Sequence, residues 1–305
     1  MNEYKLKVEL ESQGERIDKY ISEKYEDYSR EYIKKTIIDG NATVNGVQVK
    51  QNYKVKENDE ICIQIPESTE LEILPENIAL DIRYEDDDII IINKGQGMIV
   101  HPAPGNYTGT LVNALLHHCK GNLSQINGVI RPGIVHRIDK ETSGIIVVAK
   151  NNTAHQHLSE QFKEHTINRK YHAIVFSNFT EDKGTIDLPI GRHPVDRMKM
   201  AVTERNSRRA VTYYKVLERF GDFTYVECKL ETGRTHQIRV HMAHRKHPLL
   251  GDEVYGPKKQ PYNLRGQVLH AKVLGFIHPR TNEYMEFVSE LPEYFEKLIN
   301  ILGKK

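Results

Sequence analysis

Two of the longest apolar runs in the chain, IIII at residues 89–92 and GIIVVA at 144–149, constrain it most. Each is the length of one β-strand and far short of the ~20 apolar residues that a membrane helix needs. Runs of this kind suit buried strands. The second run belongs to a longer stretch, RPGIVHRIDKETSGIIVVAKN, residues 131–151. That stretch sets His136, Arg137, Ile138 and Asp139 between two strand-like segments, and its Ser143-Gly144 reads as a turn. A charged pair two residues apart in a strand connection is commonly structural, and aspartate favours turns for its own reasons. Chemistry at Asp139 therefore needs support from elsewhere in the chain.

The flanking sequence divides into two parts. In residues 15–40, Ile17, Tyr20 and Ile21, then Tyr32, Ile33, Ile37 and Ile38, fall at helical spacing, with Ser29 as an N-cap and Gly40 as a terminator. Alternating residues then flank Asn45-Gly46, the signature of a tight hairpin. This predicts a small helix–helix–hairpin domain over residues 1–70, a linker over 71–80 and a larger domain over 81–305. In the larger part, strands outnumber helices without a regular βαβ order. The expected class is α+β, with a mixed, largely antiparallel sheet. Predicted helices are GTLVNALLHHC, a segment capped near Asn152 or Thr153, one after Thr232-Gly233, and a last one starting on Pro292. At 305 residues the chain has room for both parts.

Composition limits the chemistry. The three cysteines are far apart and odd in number, which argues against a disulfide framework and fits a reducing cytoplasm. The N-terminal MNEYKLKVELESQGER is charged throughout and does not read as a signal peptide. The 15 histidines show no zinc spacing with a catalytic glutamate, and no phosphate-binding glycine loop or dinucleotide fingerprint is seen. The expectation is no metal and no cofactor. Net charge is +1, distributed as −4 over residues 1–70, −4 over 71–130 and +9 over 131–305. The positive half, which holds Asp139, suits a polyanionic partner, although an ordinary solvated surface accounts for it equally well.

Three features of that half bear on Asp139. ETGRTHQIR places Arg234 after a glycine turn at a predicted helix start, where it could hold a carboxylate, with Arg239 five residues on. NRKYHAIV puts Tyr171 at the start of a strand after two basic residues, offering a ring for stacking on a base. A half-buried sheet tyrosine is the commoner state. Residues 191–211 carry Arg192, Arg197, Lys199, Arg205, Arg208 and Arg209, and read as a basic loop for a phosphate backbone or as a mobile one.

Taken in order, GIVHRIDKETSGIIVVAKN, RKYHAIV, ETGRTHQIRVHM, GDEVYG and LHAKVLGFIHPRTNEYMEF closely resemble the motifs of the RluA-type pseudouridine synthases over residues 80–295. The N-terminal unit resembles a small RNA-binding module first seen in a small-subunit ribosomal protein. The pairing is most similar to the RluD-like branch, which modifies large-subunit ribosomal RNA. The resemblance implies Asp139 as the catalytic carboxylate and Arg137 as the residue that enters the RNA helix when the uridine leaves. It also implies Tyr171 stacking on the flipped uracil, Arg234 paired with Asp139, and Arg16, Arg30, Lys34 and Lys35 facing RNA. One departure is Gly95, where the family usually has proline, which implies a looser loop. The implied partner is structured large-subunit ribosomal RNA or its assembly intermediate, with no membrane. The sequence does not choose whether Asp139 attacks the sugar, attacks the uracil or removes a ribose proton. Two other readings are a non-catalytic RNA-binding factor on the same fold, which forms no product, and a metal-dependent hydrolase, which binds zinc.

Overall fold

The computed structural model describes residues 2–25, 28–65, 73–103, 105–126, 131–196 and 198–304. The chain divides into two compact units, Met1–Leu71 and Glu72–Lys305.

In the first unit, strand β1 (Asn2–Lys7) precedes helices α1 (Ile17–Lys24) and α2 (Arg30–Ile38) and strands β2 (Ala42–Val44), β3 (Val47–Gln48) and β4 (Glu60–Ile65). The sheet order is β1-β4-β2-β3, with every pair antiparallel. Ile17 and Ile21 of α1, Ile33 and Ile37 of α2, and Ile61 and Ile63 of β4 form its core. Each buried isoleucine contributes ~1.5–3 kcal/mol relative to an exposed one. The Ser29 side chain caps α2 by accepting the Tyr32 N–H at 3.3 Å. Asn45 and Gly46 both take positive φ, 52° and 78°, as the tight hairpin between β2 and β3 requires. Strand β1 is not predicted from the sequence. It is an edge strand in which the exposed Lys5 and Lys7 alternate with Tyr4 and Leu6, which pack on the core.

The second unit begins with the hairpin β5 (Ile82–Glu85) and β6 (Ile89–Lys94), helix α3 (Leu111–His118), strand β7 (Ser143–Ala149) and helix α4 (Asn152–Glu164). Next come strands β8 (Asn168–Phe176), β9 (Lys183–Asp187), β10 (Ile190–Arg192), β11 (Met200–Val202), β12 (Ser207–Arg208), β13 (Val211–Arg219) and β14 (Phe223–Leu230). The chain closes with α5 (Gln237–His244), the hairpin β15 (Leu269–Ile277) and β16 (Tyr284–Val288), and α6 (Glu293–Leu302). The main sheet runs β5-β6-β7-β15-β8-β14-β13-β9, with β16 on β15; the β7–β15 pair is parallel and its other pairs are antiparallel. The class is α+β with a mixed, largely antiparallel sheet, as expected.

The apolar runs are continuous because β6 and β7 are covered on both faces. Ile90, Ile92, Ile146 and Val148 pack with Leu111 and Leu115 of α3. Ile89, Ile91, Ile145 and Val147 pack with Ala154 and Leu158 of α4. The cap of α4 is Asn151, one residue before the expected position, and its side chain accepts the Ala154 N–H at 2.9 Å.

Three expectations are corrected. Ser143-Gly144 is not a turn but the start of β7. Gly144 has φ +117°, and a Cβ there would sit 2.2 Å from the Ala271 carbonyl oxygen of β15, so only glycine lets these backbones meet. Residues 131–134 form no strand; Ile134 makes one isolated bridge to Val148. The basic stretch 191–211 is not an open loop, because β10, β11 and β12 form a three-stranded antiparallel sheet within it. Arg197 lies outside the described residues.

Candidate active site

The segment 136–139 has no regular structure. Ile138 is buried in the main core and, with Arg137 and Asp139 on either side of it, also lines a cavity. The next turn closes with the Thr142 N–H on the Asp139 carbonyl at 3.1 Å. His136 ties the segment to β7 by accepting the Val147 N–H on Nε2 at 3.0 Å.

The glycine-rich loop after β6 supports that turn. The Lys94 ammonium is buried, and its Nζ donates to the carbonyls of Gly95, Met98 and Lys140 at 2.8, 2.9 and 3.1 Å. Burial pulls its pKa down to about 7, against the opposing charges of Glu141 and Asp139. The Gly97 N–H also bonds the Lys140 carbonyl, at 2.8 Å, and Gln96 Nε2 bonds that of Glu141, at 3.1 Å. The loop containing Gly95 is thus fastened to the residues that follow Asp139. Lys94→Met should remove three charge-assisted hydrogen bonds, with only the Lys140 carbonyl keeping its second donor at Gly97, and destabilise the fold by roughly 3 kcal/mol. Denaturant titration measures this, and unchanged stability would show that the ammonium is not a brace.

Asp139 is held from α5. Its Oδ2 accepts from Arg239 Nη1 at 2.9 Å. The same guanidinium grips Asp252 as a fork, with Nε to Oδ2 at 2.7 Å and Nη2 to Oδ1 at 3.0 Å. Asp252 is 0 % exposed and also accepts the N–H groups of Val254 and Tyr255. Burial alone would lower the pKa of Arg239, but the Asp252 and Asp139 carboxylates outweigh it and hold it above the ordinary arginine value. The Tyr255 ring lies 5.1 Å from the guanidinium, and its hydroxyl meets His236 Nδ1 at 2.8 Å. His236 Nε2 is 3.8 Å from Asp139 Oδ1.

The partner of Asp139 is therefore Arg239, not Arg234. The reason is where α5 begins. The Gln237 side chain accepts from Thr232 Oγ1 at 2.8 Å and from the Arg234 N–H at 2.9 Å, and donates to the Val211 carbonyl at 2.9 Å. These bonds fix Gln237 as the first helical residue. Arg239 then faces the cavity, while Arg234 stays in the preceding loop with its Nε on the Arg209 carbonyl at 3.0 Å. Arg234 still lines the cavity with Arg137, Asp139 and Tyr171.

Tyr171, on β8, is 8 % exposed, and burial raises its phenol pKa. Arg137 Nη1 lies 3.3 Å from Nε2 of the buried His101. His241, one of the histidines in the HMAHRKH run, is a satisfied core residue, its two ring nitrogens meeting Thr212 Oγ1 and the Leu188 carbonyl at 2.9 Å each. Asp86, Asp88 and His278 have metal-ligand spacing, but Asp88 already accepts two bonds from Arg280, at 2.5 and 2.9 Å.

The stretch that carries this carboxylate, its buried arginine partner, the buried tyrosine and two further arginines lies within a match to a known family. The family model described as RNA pseudouridylate synthase covers residues 88–244, which span Asp139, Tyr171 and Arg239. The chain belongs to that family. The S4 domain model covers residues 15–61 of the synthase. The synthase is 53 % identical over 304 residues to the RNA pseudouridine synthase YlyB of Bacillus subtilis (strain 168), spanning 100 % of this chain and 99 % of that one. It is 44 % identical over 299 residues to the ribosomal large subunit pseudouridine synthase D of Zymomonas mobilis, covering 95 % and 94 %. Among solved structures, human RNA pseudouridylate synthase domain containing 1 aligns with a TM-score of 0.57 at 25 % identity, over 79 % of this chain and 98 % of that one.

In the S4 domain of the synthase, Arg16 and Arg30 share one carboxylate. Asp18, 2 % exposed, accepts from Arg16 at 2.9 and 3.0 Å and from Arg30 at 3.2 and 3.4 Å. The two arginines thus link α1 to the start of α2 while their outer edges stay in solvent. Lys34 lies 3.6 Å from Glu31, and Lys35 is exposed on the same helix.

Buried histidines, His101 and His270 among them, should make the fold of the synthase acid-sensitive. Burial, then Arg137 and Arg131, lowers the His101 pKa to about 4. Burial, then Lys272, lowers that of His270 to about 3; this ring sits between Ser143 Oγ at 2.9 Å and Ser289 Oγ at 2.6 Å. Below pH ~6.5 the unfolded chain takes up protons at both positions and the folded protein does not, so stability is intact above that pH and falls as acid is added. The expected loss between pH ~6.5 and ~5 is roughly 2–4 kcal/mol. Unfolding curves at these pH values measure it, and a flat profile would contradict neutral burial of the two rings.

Proposed function

We propose that the synthase converts uridines of large-subunit ribosomal RNA to pseudouridine, with Asp139 as the catalytic carboxylate and the target uridine turned out of its helix. The observation that carries this reading is the position of Asp139, gripped by Arg239 at one cavity with Tyr171 and Arg137. The choice of RNA is supported by near full-length relatives named ribosomal large subunit pseudouridine synthase D, such as those of Zymomonas mobilis at 44 % and Yersinia pestis at 43 % identity.

The reaction is an isomerisation. The bond from ribose to the uracil nitrogen breaks, the base turns, a bond forms from ribose to carbon 5, and the proton lost from that carbon is matched by one gained at the freed nitrogen, so the composition is unchanged. No redox step is needed, and a carboxylate can serve as nucleophile or base at the sugar–base junction. Taking a uridine out of its stack costs a few kcal/mol. Arg137 filling the gap in the RNA and Tyr171 packing against the uracil offset that cost. In the S4 domain, the outer edges of Arg16 and Arg30, with Lys34 and Lys35, face phosphates. This gives a small RNA-binding domain over residues 1–70 and a catalytic domain over 81–305. Among the described residues no helix is long and apolar enough to cross a membrane; a cytoplasmic place of action goes with the ribosomal substrate.

The test is to incubate the purified protein with ribosomal RNA from cells lacking its gene, followed by chemical mapping of pseudouridine. New sites in large-subunit RNA are expected. RNA binding without product would favour the non-catalytic factor, and product confined to other RNAs would overturn the substrate assignment.

A further inference from the structure

Strand β8 carries a second buried arginine, two residues before Tyr171. Arg169 is 6 % exposed, yet among the described residues no carboxylate pairs with it. Its Nη2 donates to the Glu231 backbone carbonyl at 3.1 Å, and its Nε is buried without a partner. The Glu231 side chain is taken by Arg209 and Tyr213, at 2.6 and 2.5 Å. The Phe162 ring, 5.5 Å from the guanidinium, gives it a surface but no counter-charge. Room for it is made by Gly233, where a Cβ would come within 2.6 Å of Arg169 Nη1.

Arg239, buried to a similar degree, is matched by two carboxylates; Arg169 is matched by none. A buried charge left unpaired is costly, and burial lowers the pKa of Arg169, with Arg234 adding to the effect. The guanidinium is not sealed in the core. It lines a groove that leads to the catalytic cavity, together with Arg137, Asp139, Lys163, Tyr171 and Arg234. Arg234 also lacks a carboxylate partner among the described residues. The groove therefore holds four cationic side chains against Asp139, which Arg239 already occupies.

We propose that Arg169, with Arg234, binds one phosphodiester of the substrate RNA beside the uridine that reaches Asp139. The phosphate supplies the counter-charge that the protein does not, and a guanidinium meets its oxygens as a fork. The inference rests on the functional reading above and adds the point at which the backbone of the target nucleotide is held.

The test is the salt dependence of binding to large-subunit ribosomal RNA from cells lacking the gene, because each phosphate contact adds ~0.7–0.9 to the slope of log Kd against log salt. Arg169→Met keeps the packing on Phe162 and removes the charge. It should lower the slope by about one and weaken binding about tenfold at moderate salt. Arg169→Lys should recover most of the slope. An unchanged slope in Arg169→Met, or an Arg169→Lys variant as weak as Arg169→Met at full slope, would reduce Arg169 to a packing residue. If Arg169→Met does not fold, wild-type protein on RNA with one neutral methylphosphonate beside the mapped uridine reads the same contact, and an unchanged slope there overturns the site. Binding and product are read separately. Wild-type protein that forms no pseudouridine sinks the functional reading, whereas an unaltered slope with product intact sinks only the phosphate site.

Discussion

Asp139→Ala should lower the single-turnover rate of pseudouridine formation by about a thousandfold or more, which is ~4 kcal/mol or more in barrier. RNA affinity should stay near the wild-type value. The fold should survive because Arg239 keeps its fork on Asp252 when Asp139 is lost. The expected loss of stability is that of one charged hydrogen bond, roughly 1.5–3 kcal/mol. Circular dichroism and filter binding on the same preparation separate chemistry from folding and affinity. Product formed at a near wild-type rate would remove Asp139 from the mechanism.

Arg239→Met should damage both stability and rate, because one guanidinium serves two carboxylates. Asp252, 0 % exposed, would keep a buried charge with only the Val254 and Tyr255 amides to stabilise it. Breaking a buried pair in this way costs about 3–5 kcal/mol. Asp139 would lose the group that fixes its position beside Tyr171, so the rate on saturating RNA should fall at least a hundredfold, equal to ~2.7 kcal/mol. Arg239→Lys keeps the charge but not the fork, so it should recover more stability than rate. Denaturant melts and single-turnover assays of both variants test this. Wild-type behaviour of Arg239→Met would mean that the bridge between Asp139 and Asp252 positions nothing.

What the sequence makes legible is what local chemistry decides. The runs at 89–92 and 144–149, the Ser29 cap, the Asn45-Gly46 hairpin and the helix after Pro292 each follow from residues within a few positions of one another. The site is legible in part. Arg137, Asp139, Tyr171 and Arg234 do line one cavity. The choice between Arg234 and Arg239 is not, because both follow the same glycine turn. It is settled by Gln237 reaching the Val211 carbonyl of β13, a contact between segments far apart in sequence. Nothing local to Lys94 accounts for its burial, which depends on carbonyls up to 46 residues away. Asp252 stands in the GDEVYG segment, but nothing local marks it as the second anchor of Arg239. Arg169 reads as one more surface cation until its missing carboxylate is seen in three dimensions.

The central claim, Asp139-dependent modification of large-subunit ribosomal RNA, is tested most directly in cells. Pseudouridine is mapped in ribosomal RNA from a strain lacking the gene and from the same strain carrying either the wild-type gene or the Asp139→Ala allele at equal protein level. The expected result is that specific large-subunit pseudouridines vanish in the deletion, return with the wild-type gene and stay absent with the Asp139→Ala allele. Identical maps in all three strains, or full restoration by the Asp139→Ala allele, would contradict the claim.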